Sequence, residues 1–186
     1  MNINNSSRLK YEIMTASDSE LMYQLDQDTE VMRFINGGKL TSRKEIDEIY
    51  LPRMASYTNL KEGWGLWKIS LIESSQFIGW VLVRPMDFFY DHQQLDNIEL
   101  GWRFIRNSWG KGYATEAAMT IKQALVENSQ LIDSQQIAKF SAIALEGNNA
   151  SINIMKKMGM TYLKKDLHKD PLGDQIVVYY QMDVGV

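Results

Sequence analysis

The stretch NIELGWRFIRNSWGKGYATE, Asn97 to Glu116, decides how this chain is read. Its first half alternates: Ile98, Leu100, Trp102 and Phe104 fall on one side of a strand over Asn97–Ile105. Two glycines, Gly110 and Gly112, follow, and a helix opens at about Tyr113. In that helix Ala114, Ala117, Ala118, Ile121, Ala124 and Leu125 recur at helical spacing. A strand that runs through a glycine turn into a helix is an anion cradle. The glycines let backbone approach a ligand, and the unpaired N–H groups of the first helical turn point at it with the helix dipole behind them. The Thr115 hydroxyl adds a donor. Two glycines alone equally suit a strand–helix turn with no ligand; if a ligand is bound, its class is phosphate or pyrophosphate. Neither the Walker pattern nor the dinucleotide G-x-G-x-x-G pattern fits, because Gly110-Lys111-Gly112 lacks a following Lys-Ser/Thr pair and the place of the third glycine is taken by Thr115.

Working outward, the chain reads as one domain over residues 1–186 with no repeat or linker. A strand over Leu9–Met14 precedes helical pieces. One is capped by Ser17 and Asp18 and carries Leu21, Met22 and Leu25; a second carries Val31, Phe34 and Ile35 and stops at Gly37-Gly38. Ser42 and Glu45 form a capping-box pattern for a third, with Ile46, Ile49 and Tyr50 inward, which Pro52 should kink or end. Strands follow over Trp64–Ile72 and Phe77–Val83, the second apolar on both faces. After the long helix come a strand over Ile137–Leu145, a helix over Ser151–Met158 ended by Gly159, and strands near Met160–Leu167 and Gln175–Met182. The order predicts a mixed α/β fold with an antiparallel meander and βαβ character in its second half.

Composition narrows the chemistry. With no cysteine there is no disulfide, thiolate–metal site or cysteine nucleophile, and His92 and His168 are too far apart in sequence to suggest a metal site. A net charge of −3 offers no basic excess for nucleic acid. No apolar run approaches the roughly 18 residues of a membrane span. The polar N-terminus, Met1 to Ser7, lacks signal-peptide features, so a cytoplasmic location is expected. The basic cluster Lys156, Lys157, Lys164 and Lys165 reads as a solvated face or a phosphate neighbour.

The glycine turn and its surroundings resemble the GNAT superfamily of acetyl-CoA-dependent N-acetyltransferases, and most of all its ribosomal-protein N-terminal acetyltransferase branch. Trp109 to Ala117 reproduces W-G-K-G-Y-A-T-E-A, a sequence frequent in that branch; Gly112 and Ala114 fit the superfamily's R/Q-x-x-G-x-G/A, with Trp109 in place of Arg or Gln. Asn148 to Ser151, then Lys157-Met158-Gly159-Met160, resembles the N-x-x-S…K-x-G-F segment, and Asp28 to Ile35 resembles the branch's D-P-E-V-M-R-Y-L helix. The resemblance implies a mostly antiparallel sheet of about seven strands, splayed between the strands at Asn97–Ile105 and Ile137–Leu145. It implies acetyl-CoA as cosubstrate, no metal, and direct transfer to a primary amine. Gly110, Lys111, Gly112, Tyr113, Ala114 and Thr115, beside Trp109, would take the pyrophosphate. Trp102, Arg103 and Phe104 would pair with pantetheine, and Asn148 would hydrogen-bond the cofactor.

Glu99, a carboxylate in an apolar strand, is the candidate base; its competing reading is an ion pair with Arg103 at i+4. The superfamily's usual tyrosine acid would fall at Met155, so Ser151 is the candidate acid; its competing reading is a helix-start cap. Acceptors remain open: a protein N-terminus or small amine, alternatively an aminoglycoside or polyamine, or none at all in a non-catalytic acyl-CoA-binding module. The Met86–Asp96 loop, with Asp87, Asp91, Asp96, Phe88, Phe89 and Tyr90, suits a cationic amine or is a solvated loop with its own apolar cluster. Monomer and homodimer are both compatible with the sequence.

Overall fold

A computed structural model describes residues 1–131 and 136–185. Seven strands form one sheet: β1 Leu9–Ile13, β2 Gly65–Leu71, β3 Phe77–Met86, β4 Gln94–Phe104, β5 Lys139–Ala144, β6 Thr161–His168 and β7 Gln175–Asp183. Their spatial order is β1-β2-β3-β4-β5-β7-β6. All neighbours are antiparallel except β4 and β5, which run parallel. The expected mixed, mostly antiparallel sheet is therefore found. Helices are α1 Ser19–Leu25, α2 Thr29–Asn36, α3 Arg43–Glu45, α4 Leu51–Tyr57, α5 Tyr113–Leu131 and α6 Asn149–Lys157. Among the described residues no helix is long and apolar enough to cross a membrane.

Each sheet face buries its own core. One face packs Trp67, Val81, Leu100 and Phe140 against α5 (Ala117, Ala118, Ile121, Leu125) and α6 (Ile152, Met155). The small alanines bring α5 close to the strands. The other face packs Leu66, Trp80 and Leu82 with Met14, Met22, Ile46, Met54 and Tyr57 from the helical segment between β1 and β2. Capping follows local chemistry: Asp28 accepts from Glu30 N–H at 2.9 Å, and Ser42 Oγ accepts from Glu45 N–H at 3.1 Å while Glu45 Oε2 accepts from Ser42 N–H at 2.8 Å. Gly37, at φ 79°, ends α2.

Three expectations are corrected. Pro52 does not end its helix: a π-helical turn over Ile46–Tyr50 precedes α4, and Pro52 sits in the first turn after it. The wider turn accommodates the missing N–H and the ring. The same turn rotates Ile49 outward, leaving it 38 % exposed. Finally, β3 and β4 extend beyond Val83 and before Asn97, so the loop between them shrinks to residues 87–93. Its register shifts at Pro85/Met86, where proline cannot donate to the ladder.

Gly79 on β3 lies opposite Phe104 at φ 149°, and a Cβ there would stand 2.4 Å from the Arg103 carbonyl oxygen. Gly79→Ala should destabilise the protein by on the order of 3 kcal/mol, seen as a fall in thermal midpoint of roughly 5–12 °C. An unchanged midpoint would mean β3 and β4 do not approach this closely.

Candidate functional site: the gap between β4 and β5

β4 and β5 pair at only three positions, Asn97 with Lys139, Ile98 with Phe140 and Glu99 with Ser141. Beyond Glu99 the strands part, so Gly101, Trp102, Arg103 and Phe104 pair with β3 but not with β5. The expected splay is present at the expected pair of strands. A polar chain fixes its vertex: Gln181 Nε2 donates to Ser141 Oγ at 3.0 Å, which donates to Asn97 Oδ1 at 2.8 Å, and Asn97 Nδ2 donates to Gln94 at 2.9 Å. Asn97 and Ser141 are buried, where hydrogen-bonded partners are obligatory.

The β4 end leads through a short 3₁₀ turn, Arg106–Ser108, to Trp109 and the glycines. Trp109 is 47 % exposed, and its Nε1 donates to the Phe104 carbonyl at 2.8 Å. Gly110 and Gly112 have φ of 75° and 81°, the left-handed region that favours glycine. A Cβ at Gly110 would meet nothing within 4 Å, and one at Gly112 only Arg8 Nη2 at 3.6 Å. The turn is open on the ligand side, and α5 begins at once with Tyr113, Ala114 and Thr115. This backbone fits a pyrophosphate, and Trp102 Nε1 and Arg103 Nε are buried without a hydrogen-bond partner among the described residues.

Glu99 is 4 % exposed and makes an ion pair, but not with Arg103. Its Oε2 accepts from Arg84 Nε at 2.7 Å, directly across the β3–β4 ladder. Burial alone would lower the Arg84 pKa; the Glu99 carboxylate outweighs it and leaves the guanidinium raised. Arg103 instead reaches Asp26 at 2.5 Å, whose other oxygen accepts from Thr41 at 2.9 Å, tying the helical segment to β4. The i+4 reading missed that successive ladders offer closer partners than one strand does.

Ser151 lies in the first turn of α6, and the cap there is Asn148, whose Oδ1 accepts from Ser151 N–H at 3.2 Å. The capping reading of the serine is therefore corrected: Ser151 is capped, and its hydroxyl is not the cap. Among the described residues the Asn148 amide nitrogen has no hydrogen-bond partner and can donate. Met155 is fully buried in the core.

The loop aromatics Phe88 and Phe89, read from sequence as facing an amine or forming their own cluster, pack inward instead, against Tyr57. Sequence reading assigned nothing to Tyr57, Arg53, Asp170 and Tyr179. Phe88 and Phe89 stack edge-on with each other at 5.2 Å and with Tyr57 at 6.0 and 6.4 Å, so this aromatic pair belongs to the core. Arg53 lies 3.8 Å over Phe89 and forms an ion pair with Asp170 of the β6–β7 loop. Tyr179, opposite Ile143 on β7, shares a hydrogen bond with His168 at 3.2 Å. Burial, with Asp87, Asp166 and Glu99 nearby, pushes its hydroxyl up to about 12. The lysine cluster divides its partners: Lys164 pairs with Asp166 and Lys165 with Glu146, as on a solvated face. An open cleft of about 480 Å³ between Met1–Asn5 and α5 lies away from all these groups.

The acetyltransferase (GNAT) domain family matches residues 8–161. This chain belongs to the GNAT family. It is an acetyl-CoA-dependent N-acetyltransferase. Over 166 residues it is 28 % identical to the uncharacterised protein YkkB of Bacillus subtilis, covering 86 % of this chain and 85 % of the relative. It is 26 % identical to the FsC-acetyl coenzyme A-N(2)-transacetylase of Aspergillus fumigatus, covering 88 % and 67 %. Among solved structures, an aminoglycoside acetyltransferase AAC(6')-Ib in complex with coenzyme A superposes with TM-score 0.71 at 15 % identity over 94 % of each chain. The ribosomal L7/L12 alpha-N-protein acetyltransferase RimL with coenzyme A gives 0.71 at 13 % over 98 % and 97 %. At such identities these two describe a shared GNAT fold.

Burial also pushes the Tyr57 hydroxyl up to about 12, with Arg84 and Arg53 pulling it back in part. A folded pKa above the unfolded value of about 10 means stability that is complete below pH 10 and lost as pH rises toward 12. The parent should lose about 2 kcal/mol more between pH 9 and 11.5 than Tyr57→Phe, which keeps the ring and removes the proton. Denaturant unfolding at both pH values checks this; equal losses would place the hydroxyl in water.

Proposed function

We propose that this GNAT enzyme acetylates a primary amine, a protein N-terminus or a small amine, in the gap between β4 and β5. The observation that carries the reading is the parting of the two strands right after Glu99, with the open glycine turn at the end of the same strand. Pyrophosphate is held by the backbone from Gly110 to Thr115, beside Trp109 and Lys111. The pantetheine arm adds to the uncovered edge of β4 at Trp102–Phe104 as a short strand would. A β4 N–H polarises the thioester carbonyl, where negative charge develops during attack.

Glu99 takes the ammonium proton, directly or through water, so that the amine lone pair attacks the acetyl carbon as the C–S bond breaks. Arg84 orients the carboxylate. The Ser151 hydroxyl relays a proton to the departing thiolate and regains one, through water, from the nitrogen that has attacked, and the Asn148 amide donates to the cofactor. Asp87, Tyr90, Asp170 and Tyr179 give the acceptor mouth an acidic and aromatic lining, which favours a cationic acceptor. The relatives' acceptors are of this class, as the names aminoglycoside acetyltransferase and alpha-N-protein acetyltransferase state.

With amines, N-terminal peptides and aminoglycosides assayed for CoA release, one class should turn over. Tight CoA binding with no turnover would make the chain a sensor instead. Glu99→Gln should lower turnover roughly 10²–10⁴-fold and remove the limb of the pH–rate profile that rises with pH as the base deprotonates, with CoA affinity nearly unchanged. Full activity in that variant would leave Glu99 as the partner of Arg84 alone. Ser151→Ala should cost less, because water replaces the hydroxyl. Gly112→Asp should abolish CoA binding in calorimetry; unchanged binding would move the pyrophosphate elsewhere.

A further inference from the structure

The two glycines that suit the turn to an anion also leave it free to take many conformations, so a ready-made cradle needs an outside hold. One residue supplies it from the far end of the chain. Arg8, just before β1, donates from Nη1 to the Lys111 carbonyl at 3.0 Å. Its guanidinium lies 4.4 Å over the Tyr113 ring and beside the space a Gly112 side chain would fill. Glu116, in the first turn of α5, fixes Arg8 in turn: Oε2 accepts from Nε at 2.7 Å and lies 2.6 Å from Nη2, and Oε1 accepts from Arg8 N–H at 3.0 Å. Ser6 Oγ donates to the same Oε1 at 2.8 Å and accepts from Tyr11 at 2.9 Å. Burial alone would raise the Glu116 carboxyl; the bonds from Ser6 and Arg8 bring it below its usual value, so it stays charged.

The peptide joining Lys111 to Gly112 is planar and trans, so its C=O and N–H point in opposite directions. Holding the Lys111 carbonyl toward Arg8 therefore turns the Gly112 N–H to the other side. We propose that Arg8 and Glu116 are positioning residues for the pyrophosphate turn: Glu116 fixes the guanidinium, and the guanidinium sets the Lys111–Gly112 peptide so that its N–H faces the anion. In this role neither side chain touches the phosphate: three guanidinium N–H groups are spent on Glu116 and the Lys111 carbonyl. This inference rests on the turn being the pyrophosphate site.

The test is calorimetry of Arg8→Ala, Glu116→Gln and the double variant with two ligands, CoA and pantetheine, which lacks the pyrophosphate and nucleotide. Each single variant should weaken CoA about 10–100-fold, the double no further than either single, with pantetheine affinity unchanged. Arg8→Lys, which cannot reach both partners, should behave as Arg8→Ala and serves if that variant folds poorly. Equal weakening of both ligands, additive single effects, or a loss confined to Arg8→Ala would each overturn the proposal. The last outcome would mean that arginine binds phosphate itself. If Gly112→Asp binds CoA normally, the turn assignment fails; if Gly112→Asp loses CoA while Arg8 and Glu116 variants keep it, only the positioning role fails.

Discussion

Everything functional in this molecule depends on one strand pair that stops early. β4 and β5 are parallel neighbours for three residues and then separate. A strand edge inside a sheet is normally satisfied by its neighbour; here β4 carries its hydrogen-bonding groups into a gap, and an extended amide-bearing chain is what complements such an edge. The parting also lets the two sheet faces communicate. In the proposed reaction the α5–α6 side would hold the nucleotide end of the cofactor, and the opposite face, with Glu99, Arg84 and Tyr57, would receive the other substrate. The Gln181–Ser141–Asn97 chain sits at the vertex and ties β7, β5 and β4 together where backbone pairing ends.

Much of this was legible because the deciding signals are local. The alternation of Ile98 to Phe104, the glycines, and the spacing of Ala117, Ile121 and Leu125 each belong to one element, so they can be read along the chain. The capping box at Ser42 and Glu45 is equally local, and it is present atom for atom. What escaped reading is what forms between elements. The partner of Glu99 is set by β3–β4 register, which places Arg84 opposite it, and Arg103 finds Asp26 seventy-seven residues away. The contacts of Glu116 were hidden for the same reason: its partners, Ser6 and Arg8, lie more than a hundred residues upstream. Pro52 misled because a proline signals a break only where the helix before it is a regular α-helix; a π-helical turn changes that condition.

Buried ion pairs punctuate the sheet face that carries Glu99. Arg84–Glu99 and Arg103–Asp26 both place a guanidinium on or beside an aromatic ring, Tyr57 and Phe89 for the first, Trp80 for the second. Pairs of this kind add little net stability over apolar packing, but losing one partner strands a charge. Their geometry is directional, so they fix the angle at which the helical segment meets the sheet. The Arg53–Asp170 pair adds a further tie, from α4 to the β6–β7 loop.

The far edge of the sheet carries a different consequence. β6 is the outermost strand and is exposed on both faces along nearly its whole length. Such an edge is a template for fibre growth, and Leu163, Leu167 and neighbouring Ile176 supply the apolar contacts that growth would use. Lys164, Lys165 and Asp166 lie in the middle of it, the pairing is irregular between Tyr162 and Lys164, and the Leu167 N–H is already taken by the Asp166 carboxylate at 2.8 Å. Stacking copies edge to edge would bring lysines together and forfeit that bond. The charged residues on β6 thus guard solubility, and neutralising the two lysines would remove the main barrier between a dispersed enzyme and an aggregate.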